Sequence, residues 1–326
     1  MRSSAAAAAV ALSASIVLAA CGGDDSESAG AGGTEDGPRS ITVATSPIAD
    51  YAPLYLGVEQ GFFEDHGLTV EYAAGGVGTE TIASVLSGSN QFAGVALPPL
   101  LVAQGRGLKV SALTPSSVAP SAEGESTSQL LTSAGSGIDS VDDLAGKTIA
   151  VNAVKAQAEL LTRLAVEQDG GDLESLQFVE IPFAEMPAAL QRGDVDAIAA
   201  VEPFINSALS AGAVSVAKLD HALPEGTALT AFFTSAQLAE SDPEMVEDFK
   251  AAMTESLEYA AANPDAVRAI IPEYTQVPAE VAAQIMLPTY GAELDRAGAE
   301  ATAEAMQEFG FIDEVPDLDA MLKDAS

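Results

Sequence analysis

The sequence predicts an α/β chain folded as two similar lobes joined by two crossings. Three observations carry this. The chain has 326 residues, more than the roughly 100 to 200 that one core usually organises, so two lobes are expected. A strand, helix, strand order occurs twice along it, the unit from which parallel sheets with covering helices are built. The layout Gly88-Ser89-Asn90-Gln91-Phe92-Ala93-Gly94-Val95-Ala96-Leu97-Pro98 also recurs as Gly193-Asp194-Val195-Asp196-Ala197-Ile198-Ala199-Ala200-Val201-Glu202-Pro203, at a constant offset of 105 residues.

The amino terminus is read separately. Met1 and Arg2 give a short positive start, and Ala5 to Ala20 is an apolar run of signal-peptide length, short for a membrane span. The run ends Leu18-Ala19-Ala20-Cys21-Gly22, which looks like a bacterial lipobox. Residues 1–20 are therefore expected to be a lipoprotein signal peptide and Cys21 the lipidated residue. Residues 21–39 follow as a flexible tether, too polar to bury enough surface to offset the entropy of ordering.

The folded part then alternates. Ile41 to Thr45 reads as a buried strand, Gly57 to Phe63 as helical, and Gly67 to Tyr72 as a second strand. Gly75 to Thr79 breaks the chain, Glu80 to Ser87 is a short helix, and Phe92 to Ala96 is a third strand. The order returns with Lys147 to Asn152 as a strand, Ala156 to Gln168 as a helix, Leu176 to Ile181 as a strand, Ala184 to Gln191 as a helix and Ala197 to Val201 as a strand. Thr114 to Gly124, rich in Ser, Pro and Ala, is read as the first crossing, and Gln129 to Thr132 as an apolar strand beyond it. The return crossing is placed between Lys218 and Thr234, with helices from Pro243 to Lys323 rejoining the first lobe. The expected lobes are thus residues 40–125 with 230–326, and residues 126–229. Open α/β sheets take ligands beyond the carboxyl ends of their strands. Two such edges facing across a hinge make a clamshell that closes on a small molecule.

Composition narrows the function. Against 48 Asp and Glu stand 13 Lys and Arg, a net charge of −35, which repels polyanions and excludes nucleic acid as a natural partner. One cysteine and two histidines, His66 and His221, rule out an internal disulfide and offer neither a structural zinc cluster nor a Cys/His nucleophile pair.

Several segments in order, Ala52 to Gly57 with Gly61 to Val70, Asp142 to Val151, and Gly193 to Ala197, resemble the periplasmic-binding type II proteins of the nitrate, sulfonate and taurine import group, also called the SsuA/THI5-like or NMT1 group. The resemblance covers about Ser40 to Ala262. It implies a lipid-anchored or periplasmic receptor without a cofactor that delivers a small organic molecule or anion to an ABC permease driven by its ATPase subunits. With the lipobox at Cys21, a monomer lipid-anchored at the outer face of the cell membrane is expected. Sulfonate-binding members carry a small polar pair after the first strand of the second lobe. Here that stretch reads Asn152-Ala153-Val154-Lys155-Ala156-Gln157, a departure that weakens the case for an oxyanion ligand. The name also covers pyrimidine-forming enzymes, which rely on a His- and Cys-rich iron-binding stretch that this chain lacks, so an enzyme is not expected. A sensor serving a signalling receptor stays open.

Strand-end loops supply the candidate ligand contacts: Ser46, Tyr51, Gly76 and Thr79 in the first lobe, and Asn152, Lys155, Gln157, Glu202 and Phe204 in the second. Lys155, read as the lone basic residue near the cleft, either pairs with an anionic ligand or with Glu202, or is a solvated lysine at the first turn of a helix. Glu202 either accepts from an amine or ring nitrogen or closes the lobe interface through a hydrogen bond. Tyr51, Phe204 and Phe233 are candidate aromatic walls, with core packing favoured for Phe233. This set leans toward a neutral or partly cationic heterocycle such as a pyrimidine, over nitrate or an alkyl sulfonate.

Overall fold

The computed structural model describes residues 37–76, 78–291 and 293–325. The signal peptide, Cys21 and most of the expected tether lie outside the described residues. Arg39, the last residue assigned to the tether, instead opens the first strand, opposite Leu68, and ion-pairs with Asp248.

Ten strands form two five-stranded mixed sheets among the described residues. The first contains β1 (Arg39–Thr45), β2 (Leu68–Ala74), β3 (Phe92–Ala96), β4 (Val110–Val118) and β10 (Ala228–Ser235) in the order β2-β1-β3-β10-β4. The second contains β5 (Ser128–Ser133), β6 (Thr148–Val151), β7 (Gln177–Glu180), β8 (Ala197–Val201) and β9 (Ala213–Lys218) in the order β7-β6-β8-β5-β9. In each sheet the first three strands are parallel and the last two join antiparallel. The sequence echo falls on equivalent positions, since β3 and β8 are each the third strand across and differ in number by the same offset.

Helices cover these sheets: α1 (Ala52–Gln60), α2 (Phe62–Asp65), α3 (Gly78–Leu86), α4 (Leu97–Gly105), α5 (Gln157–Gln168), α6 (Met186–Arg192), α7 (Phe204–Ser210), α8 (Ala236–Ser241), α9 (Pro243–Ala262), α10 (Pro264–Tyr274), α11 (Ala279–Ala282), α12 (Arg296–Glu308) and α13 (Leu318–Leu322). The longest, α9, begins at a good stop and start signal: Asp242 accepts from the Met245 amide at 3.1 Å, and Pro243 fills the first helical position. It lies against α1 at Gly57, where an added Cβ would fall 1.8 Å from Ser256 Oγ. A hydrogen at that position is what lets the two helices approach. Beneath them Phe92 stacks on Phe249 at 4.0 Å, with Phe232 edge-on to Phe249, in the core of the first sheet.

The segment read as the first crossing is partly strand. Thr114 to Val118 belong to β4, fully buried, and the chain leaves the sheet only over 119–127, returning over 219–227. A Ser- and Pro-rich run can be a strand here because β4 lies at the end of the sheet order, where the missing amide of Pro115 is tolerated. Its buried hydroxyls are also satisfied: Ser116 donates to the Asp50 carbonyl and Ser117 to the Asp50 carboxylate, both at 2.5 Å. The two connecting segments bond each other, Ala119 N to Thr227 O at 2.7 Å and Gly226 N to Ala119 O at 2.9 Å. Asp220 ties the first of them down by accepting from Ser126 Oγ and from the Thr127 and Ser128 amides.

Candidate functional site

The carboxyl ends of both sheets border one cavity of about 400 Å³. Ser46, Asp50 and Tyr51 reach it from the loop after β1, Gly76 from the turn after β2, Thr79 from the start of α3, Ala96 from the end of β3 and Pro99 from the first turn of α4. From the second sheet come Asn152 to Gln157 after β6, Glu180 and Phe183 at the end of β7, and Val201 of β8. Arg106 after α4, Phe311 after α12 and Thr230 of β10 add to the wall. Because the parallel strands of each sheet all point the same way, their end loops converge on one edge, which is where α/β sheets place ligands.

Of the residues singled out from sequence, the structure brings Ser46, Tyr51, Gly76, Thr79, Asn152, Lys155 and Gln157 together around this cavity. It does not bring Glu202 or Phe204 to the lining. Glu202 is fully buried and its carboxylate is occupied: Oε2 accepts from the Asn206 amide and Oε1 from the Met286 amide, each at 3.2 Å. Burial pushes its carboxyl up to about 7, against the lowering effect of those two amides. Phe204 stacks on Phe183 at 6.2 Å, one layer behind the wall. Phe233 is fully buried in the first lobe's core.

Lys155 lines the cavity but is not paired with Glu202. It precedes α5 with a left-handed backbone, φ 51°, and its amide donates to Glu159 Oε2 at 2.7 Å. Its Nζ donates to the Gly310 carbonyl at 3.0 Å, not to Glu202. Nor is it the lone basic residue at the cleft, since Arg106 lines the cavity as well.

The buried carboxylate in the lining is Asp50, which no reading of the sequence selected although it lies between the selected Ser46 and Tyr51; the other lining carboxylate, Glu180, is exposed. Asp50 is 6% exposed. Ser117 Oγ donates to it and is itself within 2.8 Å of Thr230 Oγ1, another lining residue. Burial pushes the Asp50 carboxyl up to about 6, the Ser117 bond and a backbone bond oppose the shift, and the charge of Asp220 adds to it. Beside it the Tyr51 ring packs edge-on to Phe232 at 5.6 Å and lies over Gly94, where a Cβ would meet the ring at 2.4 Å. Glu180 shapes the opposite side by accepting from the Val154 amide at 2.9 Å. Phe311 lies far along the chain from every other lining residue, so no spacing in the sequence marked it. The result is an aromatic-walled cavity with one buried and one exposed carboxylate, several hydroxyls and two cations, a pattern suited to orienting a small polar ring.

Comparison with known proteins agrees with this architecture. A solved alkanesulfonate-binding protein from Xanthomonas axonopodis pv. citri, bound to MOPS, superposes with a TM-score of 0.74 at 18% identity, over 87% of this chain and 98% of that one. The periplasmic nitrate-binding protein of Synechocystis PCC 6803 gives 0.72 at 14% identity, over 89% and 86%. The ligand-binding component of an ABC-type import system from Staphylococcus aureus, with zinc bound, gives 0.76 at 14% identity, over 88% and 99%. These likenesses establish the two-lobed periplasmic binding protein fold. Among curated proteins, a formylaminopyrimidine-binding protein from Halalkalibacterium halodurans is 25% identical over 225 residues, which is 67% of this chain. The match spans 65% of that relative's length. The family model described as NMT1/THI5 like matches residues 48–267, about two thirds of the sequence, and the chain belongs to that family.

Proposed function

We propose that the chain is the extracytoplasmic solute-binding protein of an ABC importer, closing its two lobes on a small nitrogen heterocycle and presenting it to a permease. In this reading residues 40–125 and 230–326 form one lobe and 126–229 the other. The protein acts as a monomer and is held at the outer face of the cell membrane by lipid on Cys21. The observation that carries the proposal is the cavity shared by the strand ends of both sheets, with Asp50 buried in its wall. A carboxylate there accepts from ring or exocyclic N–H groups, while Tyr51, Phe183 and Phe311 offer apolar faces to a ring. The name of the curated relative points to the same class, an aminopyrimidine. Contacts between segments carrying the two sheets support a closed form: Lys155 Nζ to Gly310 O, Met286 N to Glu202 Oε1, and Asn206 Nδ2 to Gln284 O at 2.9 Å.

Calorimetric titration of the protein with aminopyrimidines, hydroxypyrimidines, alkyl sulfonates and nitrate tests this. An aminopyrimidine is expected to bind most tightly, and Asp50→Asn to weaken it by about 10- to 100-fold, the scale of one hydrogen bond to a charged group. A sulfonate or nitrate binding best, with Asp50→Asn indifferent, would overturn the ligand class and assign the site to Arg106 and Lys155.

A further inference from the structure

A second concavity, of about 760 Å³, lies on the first lobe between α1, the end of β2 and α10. Its wall is a column of three tyrosine rings. Tyr55 stacks on Tyr274 at 3.9 Å and 6°, and on Tyr72 at 4.6 Å and 23°. Two near-parallel rings cannot share one face of Tyr55, so it is sandwiched and the outer face of Tyr72 ends the column. Tyr72 is 46% exposed, the largest fraction among the exposed bulky apolar and aromatic residues described. The column is anchored from below: the Tyr55 hydroxyl is 2.9 Å from Thr45 Oγ1, and Tyr274 donates to the Ile48 carbonyl at 3.1 Å.

Two carboxylates, Glu59 and Glu273, line the same groove, and no lysine or arginine does. Among the described residues neither enters an ion pair. Glu59 is near enough to Tyr72 for its charge to push the phenol further up, beyond the effect of burial and of Tyr55. The groove thus combines the negative faces of aromatic rings with negative side chains, in a chain whose net charge is −35. An anion is repelled by both. A small hard cation gains little from a ring face because it holds its water. A cation with an apolar skin gains from ring and carboxylate together.

We infer that this groove is a second binding site, for an organic ammonium ion seated on Tyr72 and neutralised by Glu59 and Glu273. It is separate from the interlobe cavity and does not depend on what that cavity binds.

Choline is a suitable probe, and the chain reports on it directly, because with no tryptophan its emission comes from six tyrosines. Titration of choline chloride against potassium chloride at equal ionic strength should give a saturable change in tyrosine fluorescence for choline only. Tyr72→Leu should weaken it by about tenfold, the scale of one exposed-to-desolvated cation–π contact, and Glu59→Gln should weaken it several-fold with the column intact. Asp50→Asn should leave it unchanged. Equal responses to both salts, or choline affinity that survives both Tyr72→Leu and Glu59→Gln, would overturn the assignment. Loss in Asp50→Asn instead would place choline in the interlobe cavity and refute it equally.

Discussion

Asp50 and Glu202 are both buried acids at sheet edges, yet only Asp50 lines the cavity. The sequence puts each at a strand end and goes no further, because the difference lies in a partner: the Met286 amide that fills Glu202 is 84 residues away in sequence. Ser46, Tyr51, Asn152 and Gln157 were legible because a strand end fixes its own loop. Phe311 was not, since it arrives from a different part of the fold. A consequence of the Asp50 environment can be measured. Its carboxyl sits at about 6 in the free protein, and a ligand that donates N–H groups binds the ionised form. The dissociation constant of a ligand that does not itself titrate should therefore be flat above pH 7 and rise as pH falls through 6, approaching about tenfold per unit. Titration calorimetry between pH 5 and 8 checks this, and Asp50→Asn should abolish the dependence. Tighter binding in acid would mean that a protonated Asp50 donates to the ligand instead.

At the scale of elements, strands with apolar alternation were readable within a residue or two, and β4 was not. Its Pro115 and its serines carry the composition of a loop, and they sit in a strand because β10, Asp50 and Thr230 provide partners that local sequence does not reveal. The glycine of β3 shows the reverse. Gly94 appears in the sequence as part of an echo, while its role is to admit the Tyr51 ring against the strand. That ring is 2% exposed and boxed in by Phe232, so Gly94→Ala cannot be absorbed by a rotation. The substitution should destabilise the protein by about 1 to 3 kcal/mol, the usual cost of overpacking. Thermal unfolding should show a Tm lower by a few degrees for a chain of this size. Because Tyr51 also lines the cavity, ligand affinity should fall with it. An unchanged Tm would mean that the ring has room the close approach denies.

At the scale of the whole molecule, the repeated order of elements was enough to infer two lobes, because each βαβ unit must bury one sheet face under helices and the same solution appears twice. The strand order confirms the pairing of β3 with β8 as equivalents. What the echo cannot contain is the seam between the halves. Leu160 of α5, on the helix that follows β6, joins the cluster built by α4 and α12 on the first sheet, and Gly310 beyond α12 meets Lys155. The α12 side of this seam comes from the non-repeated carboxy-terminal helices, which is why Phe311 was not readable as part of the cavity wall. The most direct test of capture between the lobes is a crystal structure of the protein grown with its tightest-binding aminopyrimidine. Density for the ring against Asp50 on one side and Asn152 or Gln157 on the other is the expected result. A ring bound at the tyrosine groove, or anywhere that leaves the interlobe cavity empty, would contradict it.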